Sequence, residues 1–181
     1  MIFTGTILWL VALVAALLWI PQNATHEGAH ALVAKFYGGS ITKILFYPND
    51  KDGKFSFTPW AAGHAWARVW WEGGEYTAHQ RGYVSLAPVA TNTILVTLLI
   101  VARLVFPDMP PWLASILAAW ALTNFADGAF NLGTFYRSEI KSSTDGWGFQ
   151  ARLGLSPLVC RIGAVVWHLG FGSVLLLPML W

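Results

Sequence analysis

Two histidines and a glutamate occur at the spacing of a zinc hydrolase in the segment His26–His30. Residues four positions apart lie on one face of an α-helix, so His26 and His30 can direct imidazole nitrogens at a single metal ion. Such nitrogens bind Zn²⁺ at about 2.0–2.1 Å, and zinc lowers the pKa of water to about 7. Glu27 stands beside both histidines and can take a proton from that water. The segment therefore predicts a hydrolytic zinc centre in which Glu27 is the general base and then the general acid.

A catalytic zinc ion needs a third protein ligand and leaves its fourth position to water. Soluble zincins often place this ligand a short way downstream, but here the residues after His30 are Ala-Leu-Val-Ala-Lys. The third ligand must therefore come from a distant segment, and the candidates are Asp127 and Asp145. Asp127 could instead be the hydrogen-bond partner of a ligating histidine, and Asp145 could cap a helix. The residues alone leave the choice open.

The composition is that of a membrane protein. Apolar residues make up 56% of the 181-residue chain and charged residues 11%, whereas about a quarter of an ordinary soluble domain is charged. Eleven Trp residues point the same way, because Trp collects where membrane meets water. A net charge of +2 without a basic run argues against nucleic acid as a partner. The single Cys160 excludes an internal disulfide framework and a zinc site built from cysteines.

Four stretches are long and apolar enough to cross roughly 30 Å of hydrocarbon. The first is expected to continue as a kinked helix past Pro21, until two glycines stop it. We predict one membrane-embedded domain, 1–181, that is mainly α, with about four transmembrane helices at 2–20 (continuing as helix to 37), 83–106, 112–136 and 158–181. Asn92 in the second span could clamp a substrate backbone or, alternatively, hold helices together.

The connection 40–81 between the first two spans predicts a small cytoplasmic β-hairpin region. Segments 41–47 and 54–58 flank one set of turn residues, and 68–71 and 75–78 flank another. A strand edge beside a membrane site could pair with an extended peptide. The alternative is a cap that only packs on the helix ends.

Lys and Arg residues predict the orientation. Nine lie in the connections after the first and third spans, and only Arg103 lies between the second and third. The positive-inside rule then puts the histidines and Asp145 on the cytoplasmic side and both chain ends outside.

With these features in place, the chain resembles the site-2 protease clan of membrane-embedded zinc metalloproteases. The similar landmarks follow one another along most of the chain: His26–Gly39, Gly82–Asn92, and Asn131 with Thr144-Asp145-Gly146. In that clan a distant Asp-Gly completes the site, so the resemblance implies Asp145 as the third ligand. The chain departs from the clan in having Gly28 one place early and in lacking a Pro ahead of the Asp.

Position along the spans also favours Asp145. Asp127 lies about 15 residues into the third span, roughly 22 Å from its outer end, and is expected to be deeper than the histidines. The leading hypothesis is a zinc endopeptidase that cuts membrane or membrane-associated proteins in or near the cytoplasmic half of the bilayer. The alternative is a non-catalytic metal-binding membrane scaffold or interaction protein.

Overall fold

The computed structural model describes residues 7–46, 67–136 and 145–176. The protein is mainly helical, as predicted, with a small two-stranded antiparallel sheet between its first two helices. The elements in chain order are α1 (Leu8–Phe36), β1 (Ser40–Phe46), β2 (Ala67–Glu72), α2 (Ala78–Val105), α3 (Pro111–Leu132) with a following 3₁₀ turn (Gly133–Tyr136), α4 (Asp145–Arg152) and α5 (Pro157–Leu176).

Four of these helices are long and apolar enough to cross a membrane. They are α1, α2, α3 with its 3₁₀ turn, and α5, which confirms the four predicted spans. The predicted end of the last span, 177–181, and the start of the first, 2–6, lie outside the described residues. The composition and these helices together indicate an integral membrane protein.

Helix α1 continues through Pro21 to Phe36, as predicted. It ends where Gly38 adopts φ +88°, a conformation that glycine takes without steric cost. The N–H of Gly39 bonds to the carbonyl of Ala34 and the N–H of Gly38 to that of Lys35, the hydrogen-bond pattern of a Schellman cap. The two histidines therefore lie within a regular helix and not on a loop beyond it.

The sheet differs from the predicted pair of hairpins. Strand β1 pairs with β2, with Ile44 opposite Val69, whereas the predicted partner segment 54–58 lies outside the described residues. The second predicted hairpin is wrong, because residues 73–77 form no strand and Ala78 begins α2. Thr77 and Gln80 form a capping box that starts this helix five residues before the predicted position 83.

Helices α1, α2 and α3 pack against one another, while α4 lies on α2 and α5 on α3. Small side chains let the central helices approach closely, as in other membrane bundles: Ala118, Ala119 and Ala121 of α3 are all fully buried. A cluster of buried apolar side chains joins the 3₁₀ turn, α4 and α5 through Phe135, Phe149 and Cys160, among others. This packing holds α4 against the end of the three-helix core.

Candidate metal centre

His26 and His30 stand one turn apart on α1 and are nearly buried, with 12% and 9% of their side chains exposed. Each ring is held through its Nδ1 atom. His26 Nδ1 lies 2.9 Å from Asp127 Oδ2, and His30 Nδ1 lies 2.7 Å from the carbonyl oxygen of Val84. Both partners accept, so each Nδ1 carries the hydrogen, and each Nε2 keeps a lone pair for a metal ion.

Asp145 lies opposite these two Nε2 atoms. Its Oδ2 is 3.2 Å from Nε2 of His26 and 3.4 Å from Nε2 of His30. Ligand atoms at about 2.0–2.1 Å from a tetrahedral zinc ion stand roughly 3.3–3.4 Å apart. The distances from Asp145 Oδ2 to the two Nε2 atoms are therefore about those between two ligand atoms of one tetrahedral zinc ion. Within the described residues, His26, His30 and Asp145 form the one such group that could hold a metal ion.

Helix α4 brings Asp145 to this position, since Asp145 is its first residue. The helix approaches its neighbours through two glycines. A Cβ added to Gly146 would collide with Thr134, and one added to Gly148 would collide with Ser85 of α2. A helix at this point was considered in the sequence only as the alternative in which Asp145 caps it, and the close packing that the Gly146-x-Gly148 spacing indicates was not predicted.

The charge of Asp145 suits a ligand. Burial raises the pKa of this carboxyl, but the two imidazole rings that face it outweigh that effect and hold the pKa well below its ordinary range. The side chain is still 26% exposed, so water can reach this side of the group. Asp145 is therefore ionised at neutral pH, which is the form that binds a cation.

Asp127 is positioned to support the ring of His26. Its Oδ2 lies on His26 Nδ1 and also accepts from Asn92 Nδ2 at 2.7 Å, while Asn131 Nδ2 lies 3.4 Å from its other oxygen. It is not a member of the group that could hold a metal ion. These contacts match the alternative role of histidine partner.

The prediction that Asp127 lies deeper than the histidines is wrong. His26 is 18 residues after Leu8, roughly 27 Å along α1, and Asp127 is 16 residues after Pro111, roughly 24 Å along α3. The two side chains are therefore level and bond to each other. Asp145 faces the Nε2 atoms because α4 folds back on the bundle, and not because Asp127 is out of reach.

Asn92, a predicted substrate-binding residue, has no exposed surface. Its Nδ2 donates to Asp127, and its Oδ1 accepts from Gln22 Nε2 at 2.7 Å. Asn92 thus connects α1, α2 and α3, the alternative helix-holding role. Gln22 was missed in the sequence, although it precedes His26 by four residues and so shares its helix face.

Glu27 is 8% exposed and lies on the side of α1 that faces the sheet. Its carboxylate accepts a hydrogen bond from the backbone N–H of Val69 in β2. His26, His30 and Asp145 all lie near enough to influence it electrostatically, so it borders the metal-ligand group without belonging to it. The contact with β2 was not predictable from the sequence.

The structure therefore brings together all six predicted site residues. His26, His30 and Asp145 converge on one small volume, Glu27 borders this group, and Asp127 and Asn92 lie behind His26. Models of known protein families, curated proteins and solved structures were compared with the chain, and none of the three comparisons gives a match.

Proposed function

We propose that this protein is a membrane-embedded zinc endopeptidase that hydrolyses a peptide bond of a membrane or membrane-associated protein. The observation that carries the proposal is the convergence of His26 Nε2, His30 Nε2 and Asp145 Oδ2, with Glu27 buried beside them. A structural zinc site is closed by four protein ligands, whereas three ligands leave a position for water. Among the described residues three ligands converge, and this number leaves the open position that hydrolysis requires.

Zinc is the metal that best suits two imidazoles and one carboxylate. When bound, it supplies a Lewis acid for the substrate carbonyl and lowers the pKa of water. Residues of the protein orient the ligands and transfer the proton. Asp127 and the Val84 carbonyl fix the two rings, and Glu27 accepts a proton and passes it to the leaving amine.

The side of β2 that faces away from β1 is a suitable place for the substrate. Among the described residues β2 pairs only with β1, and the N–H of Val69 points away from that pair toward Glu27. An extended peptide added along this edge would pass the proposed zinc centre. Pairing through the main chain also presents an unwound backbone, which a protease needs because a helix hides its peptide bonds.

The resemblance to the site-2 protease clan supports the same function. Two of its landmarks, those that contain His26–His30 and Asp145-Gly146, lie together in the fold although Asp145 follows His30 by 115 positions in the chain. We infer that the chain is a small, divergent member of that clan. The substrate of the enzyme is a membrane protein, and the bilayer is its environment.

We also propose that the site faces the cytoplasm, with both chain ends outside, from the distribution of Lys and Arg. Reporter tags inserted after Lys54 and after Lys141 should report the cytoplasmic side, and a tag at Asp108 the outer side. Tags after Lys54 and Lys141 that report opposite sides would contradict the placement of one shared site.

The direct test of the function is Glu27→Gln. This variant should keep one zinc ion per chain, because Glu27 is not a ligand, yet lose cleavage by several orders of magnitude, roughly 10³-fold or more. Cleavage of a membrane-protein substrate in detergent or vesicles and zinc content are measured on the same preparations. Glu75→Gln, a change at an exposed glutamate before α2, is the matched control and should behave as the wild type.

The outcome also distinguishes the alternative function. Equal cleavage by Glu27→Gln and wild type would exclude Glu27 as the base. A wild-type protein that binds zinc but cleaves none of a broad set of membrane-protein substrates would favour a metal-binding scaffold.

A further inference from the structure

A continuous series of hydrogen bonds crosses three helices behind the metal-ligand group. Gln22 Nε2 of α1 donates to Asn92 Oδ1 of α2 at 2.7 Å, and Asn92 Nδ2 donates to Asp127 Oδ2 of α3 at 2.7 Å. The same Asp127 oxygen lies 2.9 Å from Nδ1 of His26, back on α1. Gln22, Asn92 and Asp127 are 4%, 0% and 7% exposed, so water does not compete for these bonds. We call these four residues the buried relay.

The donor and acceptor groups of the buried relay allow only one arrangement of its hydrogen bonds. An amide oxygen can only accept and an amide nitrogen can only donate, so the bond from Gln22 uses the oxygen of Asn92 and leaves its nitrogen to face Asp127. The Asp127 oxygen that accepts from Asn92 is also the one that faces His26, and a carboxylate oxygen accepts, so His26 donates from Nδ1. The Nε2 atom of His26 is then the one with the free lone pair. The tautomer that can bind a metal is thus set by residues that do not touch it.

The second histidine is held differently. His30 Nδ1 bonds to the backbone carbonyl of Val84, which no side-chain substitution removes. Only His26 depends on a series of side chains for its orientation. The two ligands of the proposed centre therefore differ in how sensitive they are to changes elsewhere in the bundle.

We propose that Asn92 and Gln22 are positioning residues of the zinc centre, acting through Asp127 to fix the ring and tautomer of His26. This inference rests on the proposed zinc centre, and it assigns Asn92 to the metal and not to the substrate. Without the Asn92 donor, the Asp127 carboxylate loses the shorter of its two amide contacts and keeps only the 3.4 Å contact with Asn131. Outer partners of this kind typically change metal affinity by about 10–100-fold.

A matched control exists in Asn124. It is also fully buried, on α3, but its Nδ2 bonds to the carbonyl of Trp120 in its own helix. Replacing Asn124 by Leu removes the same polar groups from the same bundle without breaking the relay. It therefore separates a specific effect on the metal from a general effect on packing.

The experiment uses the full chain in detergent, with Asn92→Leu, Gln22→Met and Asn124→Leu beside the wild type. Zinc affinity is measured by competition with a chromogenic chelator, and the visible spectrum of the Co²⁺ form reports on the ligand geometry. Asn92→Leu should weaken zinc binding by about 10–100-fold and alter the Co²⁺ spectrum. Gln22→Met should change both in the same direction but less, and Asn124→Leu should change neither. Gln22→Met keeps the test decisive if Asn92→Leu does not fold.

Three results would overturn the inference. The first is wild-type zinc affinity in both Asn92→Leu and Gln22→Met. If these variants then lost only cleavage, Asn92 would be assigned to substrate binding. An equal loss of affinity in Asn124→Leu would reduce the effect to packing. Failure of the wild type to bind zinc would remove the centre itself. By contrast, the expected zinc affinities in a protein that cleaves nothing would support the relay and overturn only the endopeptidase.

Discussion

The two ends of the helical bundle both bury polar side chains, but they use them differently. At the end that holds the metal-ligand group, the site end, side chains bond to side chains of other helices, as His26 does to Asp127 and Gln22 to Asn92. At the opposite end, buried Ser115 and Arg103 bond to nearby backbone carbonyls. Ser115 Oγ also accepts from the N–H of Ile7, which links this end to a distant segment.

This difference distinguishes hydrogen bonds that only complete the fold from hydrogen bonds that build the metal-ligand group. Arg103 bonds to carbonyls at the end of α2 that lipid cannot satisfy, and Ser115 bonds to a carbonyl of its own helix. Bonds between side chains on different helices cost more to arrange, because each member must be positioned by its own element. Among the described residues they are concentrated at the site end, so substitutions at the two ends should have different consequences.

The largest effect is expected for Asp145→Ala. Because this change removes one of three ligands, the variant should fail to retain a stoichiometric zinc ion after purification. Zinc per chain is measured by elemental analysis. Asp108→Ala, at an exposed carboxylate of the opposite end, is the control and should retain zinc. Stoichiometric zinc in Asp145→Ala would contradict the assignment of the third ligand.

Asp127→Ala should have an intermediate effect. His26 would keep its Nε2 toward the metal but lose the partner of its Nδ1, so zinc affinity should fall by about 10–100-fold without being abolished. The chelator competition assay measures the change. If zinc binding disappeared in Asp127→Ala and survived in Asp145→Ala, the roles of the two aspartates would have to be exchanged.

The smallest effect on the metal is expected at the opposite end, for Ser115→Ala. Ser115 is fully buried, accepts from Ile7 and donates to the carbonyl of Pro111. Its loss should lower the free energy of unfolding by about 1 kcal/mol and leave zinc affinity unchanged. Thermal unfolding in detergent and chelator competition test the two halves of this prediction. A loss of zinc affinity comparable to that of Asp127→Ala would show that the two ends are not separate.

Much of the fold could be predicted because membrane spans depend on length and apolarity alone. The continuation of α1 past Pro21 and its end at Gly38 also followed from local sequence. The second hairpin was wrong because 75–78 is too short for its pattern to outweigh a helix start. The capping pair Thr77 and Gln80 was present in the sequence and gave the better answer.

The site was predictable to the extent that its residues share one helix turn. His26, Glu27 and His30 followed from helical periodicity, and Asp145 from a resemblance and from position. The partners of Asp127 did not follow, because Asn92 and Asp127 are 35 residues apart in sequence and meet only through helix packing. The contact between Glu27 and Val69 likewise depends on how the sheet lies on α1.

The most direct measurement is a structure of the zinc-loaded protein, with the metal located by anomalous scattering at the zinc edge. The account predicts one zinc ion bound by Nε2 of His26, Nε2 of His30 and an oxygen of Asp145, at about 2.0–2.2 Å, with Asp127 on Nδ1 of His26. An Asp127 oxygen within that distance of the metal and Asp145 directed away would contradict the assigned ligands. A zinc ion bound elsewhere would contradict the proposed centre as a whole.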